Sequence, residues 1–117
     1  MKIANITLML IGLSLSFNTY AKEYRGQIQS LGTGASYDER CEFDSCAVIM
    51  VEDSHVGACG PDSWDFVIRT DTESGKATLS QALTAYTTGK EVVIGGTGKC
   101  DLMSTVESLK YIYFKFK

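Results

Sequence analysis

The chain of 117 residues contains one histidine, one proline and one tryptophan, and its four cysteines form no Cys-x-x-Cys pair. Without that spacing, a zinc knuckle and a redox dithiol motif both lose their support. The single histidine, His55, sits in a connection with Gly57, Gly60 and Pro61 and reads as a surface residue. No Gly-x-Ser-x-Gly elbow is present to turn a serine into a nucleophile. Positive charge is also scarce, with 11 Lys and Arg against 14 Asp and Glu. A nucleic-acid binder ordinarily shows the opposite balance and a basic stripe, so no nucleic-acid partner is expected. The one basic cluster, Lys110, Lys115 and Lys117, alternates with aromatics and reads as solvated strand positions. Repeats and low-complexity tracts are absent. After residue 17, no apolar run is long enough to cross a bilayer.

The one long apolar run is at the start. Met1-Lys2 gives a short positive beginning, Ile6 to Phe17 is mostly apolar, and Thr19-Tyr20-Ala21 offers small residues where signal peptidase reads. Residues 1–21 therefore read as a cleaved signal peptide. The mature chain, 22–117, is expected as a single periplasmic or secreted domain with no membrane span. No cysteine follows the apolar run, which argues against a lipid anchor. Removing 21 of 117 residues leaves 96, enough for one domain and too few for two. Losing Lys2 leaves 10 basic side chains against 14 acidic ones, a net charge of −4.

In an exported chain, an even number of cysteines reads as disulfides, because the compartment is oxidising. Cys41, Cys46, Cys59 and Cys100 allow three connectivities. Each bridge would contribute about 2–4 kcal/mol to so small a domain.

Hydrophobic periodicity predicts the order strand, strand, strand, helix, strand, strand. Tyr24 to Leu31 is the first strand, stopping at Gly32-Thr33-Gly34, and 32–45 is a polar loop. Cys46 to Glu52 is an apolar run of strand length, and Trp64 to Thr70 alternates. Leu79, Ala82, Leu83 and Tyr86 follow helical spacing and predict one apolar face. Thr72, Glu73 and Ser74 offer a cap, and Gly89 offers a stop. Glu91 to Gly95 and Glu107 to Phe116 are the last two strands. The final strand is apolar on both sides, with Ile112, Phe114 and Phe116 against Leu109, Tyr111 and Tyr113, so it is fully buried or meets a partner.

Three strands, one helix and two strands predict a mostly β domain: a five-stranded OB-fold-like barrel. In that fold the third and fifth strands run parallel and start side by side. Cys59 and Cys100 precede those two strands, which pairs them within disulfide reach. Cys41 and Cys46 are then left to close a short loop before the second strand.

Candidates for catalysis fail one after another. Gly95-Gly96-Thr97-Gly98-Lys99 imitates a phosphate loop, but Cys100 stands where Ser or Thr should hold magnesium and Val93 stands where the first glycine should be. The stretch reads as a glycine-rich turn. Asp62 and Asp65 read as surface turn residues. Trp64, opening a strand, suits the core or a sugar ring. No catalytic, cofactor or metal residue is assigned. The reading is a non-enzymatic binding module taking a glycan or protein through loops near Tyr37, Asp38 and Arg40, with Trp64. The alternative is a small exported enzyme or enzyme inhibitor using the acidic loops with Asp38, Glu39, Glu42, Asp44 and Asp53.

Leu79 to Ile94, a helix followed by Tyr-Thr-Thr-Gly-Lys-Glu-Val-Val-Ile, resembles the matching region of subtilase-cytotoxin and pertussis-like AB5 toxin B subunits. Gly26-Gln27-Ile28 is similar to their first barrel strand. The chain also resembles small exported bacterial proteins with a Cys before strand three, a helix ending at Gly-Lys, and a Cys after strand four. The resemblance implies a homo-oligomer, a ring of five that binds sialylated glycans and carries an enzymatic subunit. Leu79 to Tyr86 would line its pore, and barrel edges would pair between subunits. Those B subunits also have a Tyr- and Ser-rich segment before the first strand. Here only Lys22 and Glu23 stand between the expected cleavage site and Tyr24, so no glycan-binding residue is carried over.

Overall fold

A computed structural model describes residues 23–53 and 57–115. The expected signal peptide, His55, Phe116 and Lys117 lie outside them. The described residues form strands β1 (Glu23–Gly26), β2 (Ile28–Gly32), β3 (Cys46–Val51), β4 (Phe66–Arg69), β5 (Val92–Gly96) and β6 (Glu107–Phe114), with helices α1 (Ala35–Asp38) and α2 (Glu73–Thr88). The architecture is mostly β, one curled six-stranded sheet in the order β1-β5-β6-β4-β3-β2. Where the sequence predicts five strands and one helix, six strands and two helices stand.

The extra strand comes from a break in the first one. β1 pairs antiparallel with β5, while β2 pairs antiparallel with β3, so the two ends of the sheet order are joined through Gln27 alone. Gly26 has a φ of 156°, a conformation that side chains rarely adopt. The bend is then pinned from three directions. The Gln27 carbonyl accepts from Tyr24 Oη and from the Glu52 amide, and Gln27 Nε2 donates to the Gly89 carbonyl at 2.7 Å. The extra helix, α1, is a single turn inside the expected polar loop, closed by the Tyr37 and Asp38 amides donating to the Gly34 carbonyl.

β4 runs parallel to β6, with Phe66 opposite Glu107 and Val67 opposite Ser108, so these strands do start side by side. β4 is shorter than predicted and leaves Trp64 and Asp65 outside it. Both faces of β3 and β4 are buried. Ala47, Ile49, Val51, Phe66 and Ile68 join Tyr24, Ile28, Val92, Ile94 and Ile112 in the main core. Cys46, Val48 and Val67 meet Cys41, Met103 and Val106 in a second core beneath the loops. A strand buried on both sides reads as a continuous apolar run, which is what Cys46–Val51 shows.

α2 begins where Thr72 Oγ1 accepts from the Gly75 amide and ends at Gly89, with φ 68°. Its buried side keeps Leu79 and Ala82 of the predicted face and loses Leu83 and Tyr86. Gly75, Ala82 and Ala85 are buried and Leu79 is partly so, whereas Leu83 and Tyr86 are 49% and 46% exposed. Small residues win because the helix lies close to the chain beneath it. A Cβ at Gly75 would collide with the Arg69 carbonyl oxygen.

β6 also departs from simple alternation. Gly95 opposes Tyr111 but Gly96 opposes Leu109, so Lys110 is the extra residue of a bulge. The bulge moves Leu109 to the side of Ile112 and Phe114, where all three pack on the main core. Tyr111 and Tyr113 stay on the outer side. β5 runs one residue past its predicted end at Gly95, and Gly96, expected in a turn, is buried inside it.

Gly75→Ala should lower stability by about 1–3 kcal/mol, the usual range for overpacking. Urea unfolding followed by circular dichroism checks this, and an unchanged midpoint would contradict the close approach of α2.

Candidate functional site

One end of the sheet is organised by a buried acidic side chain. Glu107, at the start of β6, is 2% exposed. Its Oε1 accepts from the Ala58 amide at 3.1 Å and its Oε2 from the Gly98 amide at 3.2 Å. Gly96 leaves the room it occupies, since a Cβ there would overlap the carboxylate. Each of those two loops also carries one cysteine of a pair at disulfide distance, Cys59 and Cys100, with Cα atoms 5.6 Å apart. Cys41 and Cys46 form the other pair, with Cα atoms 6.1 Å apart. Ser108 extends the brace, its amide donating to the Lys99 carbonyl and its Oγ to Asp101.

The loop residues singled out in the sequence come together, but largely on structural duty. Tyr37 and Trp64 meet edge to face with centroids 5.4 Å apart, and both pack on the second core. Asp38 Oδ1 accepts from the Cys46 amide. Arg40 donates to Asp62 Oδ2 at 2.6 Å, as does Thr105 Oγ1, while Asp62 Oδ1 accepts from the Trp64 amide. Asp62 is thus the hub that ties three loops together, rather than a simple surface turn residue. Burial alone would raise its pKa. The hydrogen bonds from Thr105, the Trp64 amide and Arg40 more than offset that, and the pKa falls below its ordinary value. Asp65 is likewise engaged, accepting from the Val51 amide.

The surface with more free aromatic area is the outer face of β1, β5 and β6. Registered neighbours make two rows across it: Glu23, Gly95 and Tyr111 in one, Arg25, Val93 and Tyr113 in the other. The Tyr111 ring lies over Gly95, where any Cβ would run into it, and its hydroxyl donates to Glu23 on β1. Tyr111 and Tyr113 are 39% and 38% exposed, with ring centroids 6.0 Å apart and planes within 24°. Arg25 completes an ion pair with Glu23 at 3.0 Å. The Tyr111 hydroxyl, and then Arg25, hold the Glu23 pKa down, and the same bond raises that of Tyr111. Alternation placed these tyrosines on one side of the last strand. Their pairing with a glycine and a carboxylate from two other strands is what the sequence could not show.

Two lesser features complete the surface. A cleft of about 160 Å³ beside the first turn of α2, lined in part by Ile68, Arg69, Leu102 and Lys110, is small against the roughly 300–1,000 Å³ of ordinary ligand pockets. Phe43 carries the Arg69 guanidinium at 3.6 Å from its ring centre, and Arg69 is paired with Asp71. Among the described residues, no helix is long and apolar enough to cross a membrane. Comparison with family models, curated proteins and solved structures finds no match to the chain.

Because folded Asp62 binds its proton less tightly than unfolded Asp62, its contribution to stability is complete above its ordinary value of 3.8. That contribution is lost as pH falls through the lower folded value. The gap between wild type and Asp62→Asn in urea midpoint should therefore be widest near neutral pH and close in strong acid. A gap independent of pH would contradict the hub.

Proposed function

We propose that this chain is an exported, non-enzymatic binding module built on an OB-fold-type barrel, with a glycan or protein as its ligand. In this reading β1 and β2 are two halves of one bent strand, which reduces the six strands to five and lets the sheet close on itself. The parallel pairing of β4 with β6 supports it. Export is supported by the leader-like start of the sequence and by two cysteine pairs at disulfide distance.

The observation that carries the binding reading is the exposed Tyr111–Tyr113 pair, held on a sheet that is braced at its end. Tyrosine, apolar in its ring and polar at its tip, is enriched at interfaces, which supports this face as the binding surface. Placing the ligand there departs from the loop site read in the sequence, since Tyr37, Asp38, Arg40 and Trp64 all have partners inside the fold. The resemblance to toxin B subunits adds a ring of five to the proposal. Leu83 and Tyr86, exposed one turn apart on α2, are the apolar residues through which copies would meet.

Labelled protein lacking residues 1–21 should be retained on arrayed glycans or immobilised glycoproteins, and replacing both tyrosines by serine should abolish retention. No retention on either surface would overturn the binding reading. Light scattering should give five times the chain mass, and a strict monomer would remove the ring.

A further inference from the structure

Resting on that binding reading, we infer that the outer face of β1, β5 and β6 takes an uncharged saccharide, one pyranose ring stacked on Tyr111 and Tyr113. The geometry supplies each element such a ligand needs. A pyranose presents C–H groups on its faces and hydroxyls around its edge. The two tyrosine rings, stacked with centroids 6.0 Å apart and planes within 24°, each leave more than a third of the residue exposed as apolar area on this face.

The margin of the platform carries matching polar groups. The Tyr111 hydroxyl directs its O–H at Glu23, so toward a sugar hydroxyl its oxygen serves as an acceptor. Glu23 keeps free lone pairs beside its bonds to Tyr111 and Arg25. The Arg25 side chain is 63% exposed, and its fork retains free N–H donors.

Charge on this face selects against an ionic ligand. Glu23 is paired with Arg25, and in the next row of the same face Glu91 is paired with Lys115 at 3.3 Å. Two acids and two bases cancel locally, leaving hydrogen-bonding capacity without a net field. The platform is also ordered before binding. Tyr111 is held from below by the bare backbone of Gly95 and at its tip by Glu23, so little rotamer freedom remains to be lost.

The test is an amide- and ring-proton NMR titration of the protein lacking residues 1–21. The neutral probes are lactose, cellotetraose, maltotetraose and chitotetraose, and sialyllactose is the anionic counterpart. The expected result is a saturable shift with at least one neutral probe, centred on Val93, Gly95, Tyr111 and Tyr113. Tyr113→Ala, which breaks no side-chain hydrogen bond among the described residues, should weaken it about tenfold. Gly95→Ala keeps both tyrosines but lifts the Tyr111 ring, and should weaken it comparably while the far β2–β3 amides keep their positions. Silence with all four neutral probes would overturn the inference. So would shifts centred on Tyr37 and Trp64, or shifts of this face by sialyllactose alone. The last two outcomes would leave the binding-module reading standing.

Discussion

An acidic side chain buried in a small β domain costs stability unless its oxygens are hydrogen-bonded, and Glu107 accepts from two backbone N–H groups in loops forty residues apart in sequence. The rest of the fold is arranged around that arrangement. Glu107 sits where β6 begins its parallel pairing with β4 and faces the glycine that ends β5. One side chain thereby positions both neighbours of β6. The Cys59–Cys100 pair closes the same two loops covalently. The carboxylate and the cysteine pair act at one place by different means, one through desolvated hydrogen bonds and the other through the reduced freedom of the unfolded chain.

That brace bears on the outer face. The two rows that carry Tyr111 and Tyr113 exist only in one register of β5 against β6, and a slip of one residue would send both rings to the core. The bulge at Lys110 allows Leu109 to pack inward while Tyr111 points outward, so one strand serves the core at both ends and the surface between them. Ordered aromatic area on a rigid sheet follows from the packing beneath it.

Local signals were legible in the sequence, and signals that depend on distant partners were not. Thr72 and Gly89 mark the ends of α2 because capping is a property of a few neighbouring residues. The positions of Cys59 and Cys100 before two strands pointed to each other once a parallel pair was assumed. The break at Gln27 was hidden because Tyr24 to Leu31 is β-compatible throughout. Only pairing with β5 on one side and β3 on the other bends it. Helical spacing favoured Leu83 and Tyr86 over Ala85, since periodicity weighs hydrophobicity and not the space available. Close approach at Gly75 reverses the choice. A glutamate opening a strand looks solvated in sequence. Burying Glu107 required donors at residues 58 and 98, which no local pattern contains.

The most direct measurement is native-state amide hydrogen exchange on wild type and Glu107→Ala, under conditions where both remain folded. If Glu107 organises this end of the sheet, the Ala58, Gly98, Thr97 and Ser108 amides should lose protection together. The Glu52 amide and the β2–β3 ladder should keep theirs. Unchanged protection at Ala58 and Gly98, or an equal loss in every strand, would contradict the account.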